Sequence, residues 1–490
     1  RRLYPVDERL RRGRRPCPAG IRLLFPGAEG HLGWISDKIY VYLILGLLIL
    51  CGIYFTIKMR FAQIRLFPES IKYLREKSHN GKVSSFQALM TCTASKVGTA
   101  NIAGVATAVV VGGPGAIFWI WLMAVIGSAS SIVEATLAQM YKVKSKENGL
   151  FVGGPAYYIK NALGKKRLGI IFATLFVFCY MFAFSALQAN NMSTAFENFI
   201  PSYRNTAWPW IIGIIFTCLI AVVVFGGIYR ISFVSSYLVP AMATVYLLVG
   251  IYIFFTNINR IPEVFSLIFR DAFDFKAITG GFSGSVVLLG IKRGLLSNEA
   301  GMGSAPNSAA TADTSHPVKQ GIMQVLSVGI DTFFICSTSA FIILLSKVKL
   351  NSEMQGIPLM QKAVSSQVGA WGEYFIAVSV VCFAFSAIIG NFGISEPNIL
   401  FIKEDEKFVK CLRTICLFAV AGGCVLSPKL VWNLADIAMA LLAIVNLVAI
   451  TMLTDKFMIC FKDYLKKRKS GKDIVFNATE CGIDDTTLWK

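Results

Sequence analysis

Apolar windows of about 20 residues, the length that carries a helix across a hydrocarbon core, recur from near residue 38 to residue 455 with no soluble domain between them. That recurrence confines the chain to a bilayer. In lipid every backbone N–H and C=O must be paired within a helix or a closed barrel, and windows this long select the helix. The fold class is therefore an all-α integral membrane protein. Composition agrees, with 55% hydrophobic residues, 16% charged residues and a mean hydropathy of +0.60.

The candidate spans are 38–57, 86–111, 115–141, 168–192, 209–227, 232–256, 280–311, 319–346, 371–401, 411–426 and 430–455, about eleven transmembrane helices. Residues 1–34 form an Arg-rich leader that reads as disordered or non-native and does not have the layout of a signal peptide. Residues 35–83 are one extra helix and a basic loop. Two five-helix blocks follow at 84–257 and 258–458, and 459–490 is a basic tail.

The formal charge of +20 is concentrated in alternate loops with few interleaved aromatics, which argues for topology and against nucleic acid. Lys58, Arg60, Arg65, Lys72, Arg75, Lys77 and Lys82 mark one cytoplasmic loop, and residues 142–167 mark another. The tail, with Lys466, Lys467, Arg468, Lys469 and Lys472, belongs on the same side. An odd number of spans then places the N-terminus outside and the C-terminus in the cytoplasm of a multi-pass plasma (inner) membrane protein. The 12 cysteines are dispersed without C-x-x-C pairs, and His31, His79 and His316 all fall in loops, so neither a zinc site nor a histidine proton relay is indicated.

Two of the spans are interrupted by polar residues. Lys96-Val97-Gly98-Thr99-Ala100-Asn101-Ile102-Ala103-Gly104 breaks the second span, and the run from Gly290 to Pro306 breaks the seventh about 200 residues later. An unwound turn at membrane depth is tolerable only where it lines a cavity or holds a ligand, because unpaired backbone groups each cost several kcal/mol in lipid. Two broken helices, each opening a block of five spans, point to inverted repeats with a midplane binding site. Half-helix N-termini there attract a carboxylate, and freed carbonyls attract a cation, which suits a zwitterionic amino acid with sodium.

At these residues the sequence resembles the alanine or glycine:cation symporter family, the sodium:alanine symporters. Lys96 to Gly104 is similar to the family's R-V-G-T-G-N-I-A-G, Gly112-Gly113-Pro114-Gly115-Ala116 to its external turn, and Arg293 to Pro306 to R-G-L-F-S-N-E-A-G-L-G-S-A-P. The likeness runs on through Gln320-Gly321, Asp331-Thr332, Ile335-Cys336, Trp432 and Asp436, covering about residues 35–460. It implies the bacterial leucine-transporter fold, two inverted five-helix repeats after one extra helix. It implies sodium-coupled symport of alanine or glycine, with Na+ as the co-transported ion, no organic cofactor, no enzymatic activity and no obligatory protein partner.

Carried across residue by residue, the resemblance assigns Gly98, Thr99, Ala100, Asn101, Gln188, Ser297, Asn298 and Asn391 to the substrate. It assigns the carbonyls of Ala94 and Val97 with the hydroxyl of Ser386 to sodium. Three positions depart from the pattern: Ala100 replaces a glycine, Ala387 replaces the threonine after the serine, and Asn391 stands where an aromatic walls the pocket. The departures keep proton-coupled or uncoupled carriage, and an amino-acid sensor, as alternatives. Glu134, Lys292, Arg293, Glu299, Asp331, Glu396 and Asp436 lie in or at the ends of spans, where lone charges cost at least about 2.5 kcal/mol. The expectation is that Arg293 gates with Glu299 or Asp331.

Overall fold

The computed structural model describes residues 28–76, 83–145, 149–274, 285–350, 354–471 and 474–489. Most of the leader, and Lys77, His79, Lys82, Lys472 and Gly280, lie outside the described residues. The long helices are α1 (Gly30–Lys58), the bent pair α3 (Ser85–Lys96) and α4 (Ala100–Gly112), α5 (Ala116–Met140) and α7 (Lys166–Thr194). They continue with α8 (Trp208–Val224), α9 (Gly227–Thr256), α11 (Val286–Asn298), α13 (Pro317–Leu345), α15 (Trp371–Ile402), α16 (Glu406–Gly423) and α17 (Pro428–Met452). Shorter helices fill the loops: α2 (Phe67–Tyr73), α6 (Pro155–Asn161), α10 (Ile261–Ala272), α12 (Ala305–Ala309), α14 (Gly356–Val368) and α18 (Thr454–Lys469). Among the described residues the single sheet is a two-strand antiparallel ribbon, β1 (Val143–Lys144) with β2 (Phe151–Val152).

By length and composition, seven of these helices can cross a membrane, or eight when the bent α3–α4 pair counts as one span. Their outward faces are apolar. Ile214, Leu219, Phe233, Tyr237 and Leu248 are more than half exposed on α8 and α9, as expected of side chains that meet lipid rather than water. The polar residues are inside: Lys96, Asn101, Glu134, Glu299 and Asp331 are all buried.

Helix starts follow local chemistry. Ser84 and Gln87 form a reciprocal capping box at α3, Ser285 accepts from Leu288 N at α11, and Ser427 accepts from Leu430 N at α17. Turns of π-helix interrupt α1 at Tyr40–Ile44, α7 at Phe178–Phe184 and α13 at Ile330–Cys336. Such widened turns re-aim side chains, here Tyr180 and Asp331. α1 starts ahead of the expected residue 38, because Ser36, Asp37 and Lys38 dilute its hydropathy while its first turns lie along α17.

The two ends of the bundle differ. At the basic end, Lys319 pairs with Glu76, Arg468 with Glu69 and Lys456 with Asp485. The tail folds back there, with Trp489 Nε1 donating to Gln139 O (2.7 Å) and Phe476 N to Ser315 O (2.9 Å). At the opposite end, Gly115 N donates to Asp271 (2.7 Å), Arg260 to Leu345 O (2.7 Å) and Asn198 to Gln361 (2.8 Å).

His316 caps α13 at the basic end. Its Nδ1 accepts from Val318 N (3.2 Å) and its Nε2 faces Asp463 (3.3 Å), which together use both ring nitrogens of a neutral imidazole. Burial pushes its pKa down to about 4, against the upward pull of Asp463. The unfolded chain therefore takes up a proton near pH 6.5 that the folded chain refuses until about 4, so stability falls as pH drops through that window. Melting temperature in detergent is expected to decline between pH 7 and 5, and less steeply in His316→Gln; parallel profiles would show that His316 is not the titrating group.

Candidate functional site

The first break begins where α3 ends. Gly98 N turns to Lys96 O (2.9 Å), Thr99 N to Gln188 Oε1 (2.8 Å) and Asn101 N to Gly98 O (3.2 Å). A continuing helix would have sent those three donors to the carbonyls of Ala94, Ser95 and Val97. These carbonyls consequently lose their helical partners. α15 lies against the same turn: a Cβ on Gly390 would meet Ser95 N at 2.5 Å, and one on Gly98 would meet the Ala387 Cβ at 3.0 Å. Ser386, one residue before Ala387, is fully buried and its hydroxyl has no partner among the described residues.

Gln188 spans from α7 to the break. Its Oε1 accepts from Thr99 N (2.8 Å) and Thr99 Oγ1 (2.6 Å), while its Nε2 lies over Gly98, 2.5 Å from where a Cβ would be. Gly98 is thus required by close approach. Asn191, one turn beyond Gln188, adds a bond to Thr99 Oγ1 (2.8 Å). Asn191 was readable as an amide three residues along the same helix face, yet sequence reasoning passed over it.

The second break follows α11. Glu299 takes a left-handed backbone (φ 54°), and Gly301 and Gly303 also have positive φ (84° and 82°). Glu134 of α5 holds this turn open, accepting from Gly301 N (3.3 Å), Gly303 N (3.1 Å) and Asn446 Nδ2 (2.6 Å). Asn298 Oδ1 accepts from Ala300 N (3.0 Å), and its Nδ2 is buried without a partner among the described residues.

The two breaks meet at Asp331. Asn101 Nδ2 donates to its Oδ1 (2.5 Å), Ser297 Oγ donates to its Oδ2, and Thr332 Oγ1 adds a third bond (3.3 Å). Thr99, Asn101, Gln188, Ser297 and Asp331 are therefore one continuous polar centre. Ala100 sits in the same turn, 6% exposed, with only a methyl group to offer. Asn391 is drawn off to the side, accepting from Ser95 Oγ (2.7 Å) and donating to Ser185 Oγ (3.4 Å), so it ties α15 to α3 and α7.

The expected gate is corrected. Arg293 reaches neither Glu299 nor Asp331; it pairs with Asp436 (3.3 Å) and lies over the Trp432 ring (4.2 Å). The reason is length along the helix: Glu299 is six residues on, about 9 Å of rise, and past the end of α11. Lys292 likewise pairs with Asp37 (2.7 Å), and Glu396 with Arg413 (2.5 Å).

Residues 28–478 match the model of the sodium:alanine symporter family. The chain is 44% identical over 471 residues to the probable sodium/glutamine symporter GlnT of Bacillus subtilis (strain 168), covering 94% of this chain and 97% of that protein. It is 42% identical to the amino-acid carrier protein AlsT of the same organism (93% and 96% covered). It is 33% identical to a sodium/proton-dependent alanine carrier protein of Bacillus sp. (strain PS3), with 84% and 95% covered. Among solved structures, MhsT in complex with L-phenylalanine superposes with a TM-score of 0.57 at 15% identity, over 77% of this chain and 90% of that one, a likeness of fold alone. Taken with the two broken helices and the polar centre they enclose, these matches establish that the chain belongs to the sodium:alanine symporter family.

Proposed function

We propose that this transporter couples sodium to the symport of a small neutral amino acid, alanine or glycine, across the plasma membrane by alternating access. The observation that carries the reading is the turn at 94–99. Carbonyls of Ala94 and Val97 that have lost their helical donors stand in a turn packed against α15, on which Ser386 carries a buried hydroxyl with no partner among the described residues. A hard cation takes such oxygens. Ala387 supplies none, so backbone oxygen or water completes the shell.

The substrate lies beside this turn, its carboxylate on the N–H groups of the broken helices and the Nε2 of Gln188, its ammonium toward Ser297 and the freed carbonyls. The Ala100 methyl narrows the space for a side chain. Eleven spans, in two inverted five-helix repeats after α1, fit the alternation of basic and neutral ends, with the basic end and C-terminus cytoplasmic and the N-terminus outside.

Uptake of labelled alanine, glycine and glutamine into proteoliposomes under a sodium gradient, compared with an equal choline gradient at fixed pH, tests the reading. Sodium-driven alanine accumulation, with sodium half-activation raised about tenfold or more in Ser386→Ala, is expected. Equal uptake in both gradients would sink sodium coupling. Glutamine exceeding alanine would favour the second reading, a longer neutral substrate, for which the printed name of GlnT is the support.

A further inference from the structure

The polar centre contains titratable groups that the sodium turn does not use. Lys96, at the end of α3, is 2% exposed and its Nζ has no hydrogen-bond partner among the described residues. It lies within electrostatic range of three buried carboxylates, Glu134, Glu299 and Asp331. Two of these are held by hydrogen-bond donors: Glu134 by Gly301 N, Gly303 N and Asn446, and Asp331 by Asn101 and Ser297. Glu299 is different. Its Oε2 is buried without a partner among the described residues, and so are the Tyr180 hydroxyl and the Ser304 hydroxyl that converge on it. The three oxygens lie within interaction range of one another, and none of them completes a hydrogen bond of full distance and angle among the described residues.

Glu299 is also one of the few non-glycine residues held at positive φ, a conformation that persists only where the surroundings impose it. Tyr180 is aimed inward from the π-helical turn of α7, and Ser304 stands immediately before α12. The chain has thus gathered three oxygen ligands from two separate elements around one point.

One lysine stands among three carboxyl groups in a region screened from water. An ionised Glu299 there is costly unless a cation or a donor meets it, and its outer oxygen has no such partner among the described residues.

We propose that Glu299, Tyr180 and Ser304 form a second monovalent-cation site, of sodium type, distinct from the one at Ser386. This rests on the sodium-symport reading above. The carboxylate supplies the charge, and the two hydroxyls accept the cation with their oxygen lone pairs.

The test uses the full chain in proteoliposomes, with radiolabelled sodium and alanine counted in the same vesicles. Two sodium ions per alanine are expected, one for each site, with a sigmoidal sodium-activation curve. Glu299→Gln should lower the ratio to one and make the curve hyperbolic, while Ser304→Ala and Tyr180→Phe, which keep the carboxylate, should raise half-activating sodium about 3- to 10-fold. Should Glu299→Gln fail to fold, the last two variants carry the result. A wild-type ratio of one, with unaltered sodium activation in all three variants, would overturn the second site and leave sodium coupling standing. Alanine-linked proton entry that Glu299→Gln abolishes would overturn it in favour of a proton. No sodium stimulation of any kind would overturn both this site and the one at Ser386.

Discussion

Glu134→Ala is expected to abolish uptake and to destabilise the fold by about 3–5 kcal/mol, the sum of several buried donors left without an acceptor. The carboxylate is the common partner of Gly301 N, Gly303 N and Asn446 Nδ2. Asn446 in turn donates to Gly301 O (2.9 Å) and accepts from the Tyr158 hydroxyl. One side chain thus joins α5, the second break, α17 and α6. Without it, two peptide N–H groups at positive-φ glycines face a cavity in a water-poor interior, and the turn has no reason to remain unwound. Glu134→Gln keeps one accepting oxygen but points an NH2 group at donors, so it should retain part of the stability and little of the uptake. Unfolding temperature in detergent and alanine uptake in vesicles measure the two effects separately. Wild-type values for both in Glu134→Ala would mean that the backbone holds the break unaided.

The breaks themselves were legible. Lys96 to Gly104, and Gly290 to Pro306, interrupt apolar runs at places where a helix in lipid cannot leave backbone groups unpaired; the structure bends the first pair by 49° and, in the second run, keeps Gly290 to Asn298 helical and unwinds only beyond Asn298. Local chemistry was enough for that. What joins the breaks was not legible: Asn101 and Asp331 are 230 residues apart, and the π-helical turn that aims Asp331 has no signature in hydropathy.

The misread gate has the same origin. Arg293, Glu299 and Asp331 were grouped by their shared place near the second break, although six residues of helix already separate Arg293 from Glu299. The left-handed turn at Glu299 ends that helix, and Arg293 turns instead to Asp436 and Trp432, two residues that the sequence had flagged without connecting to it. Asn391 was matched to a pocket wall through its place in the motif. Its amide is occupied by Ser95 and Ser185, hydroxyls on two other helices whose direction only the packing reveals.

Gly390→Ala is expected to raise half-activating sodium at least about tenfold, equivalent to roughly 1.4 kcal/mol of lost cation affinity, and to leave little uptake at ordinary sodium. The added methyl would lie 2.5 Å from Ser95 N and 2.9 Å from Ala94 C. Both are backbone atoms, so no rotamer change relieves the overlap and either α15 or the 94–98 turn must shift. On the proposed site, that shift separates Ser386 from the carbonyls of Ala94 and Val97, and a small cation tolerates an error of only a few tenths of an ångström in its oxygens. Gly422→Ala is the control, since a Cβ there meets nothing within 4 Å. It should match wild type in sodium dependence and in uptake. A normal sodium curve for Gly390→Ala would separate α15 from the cation and leave the freed carbonyls to the substrate's ammonium, whereas a shifted curve with unchanged alanine binding at saturating sodium places the ion between α15 and the first break.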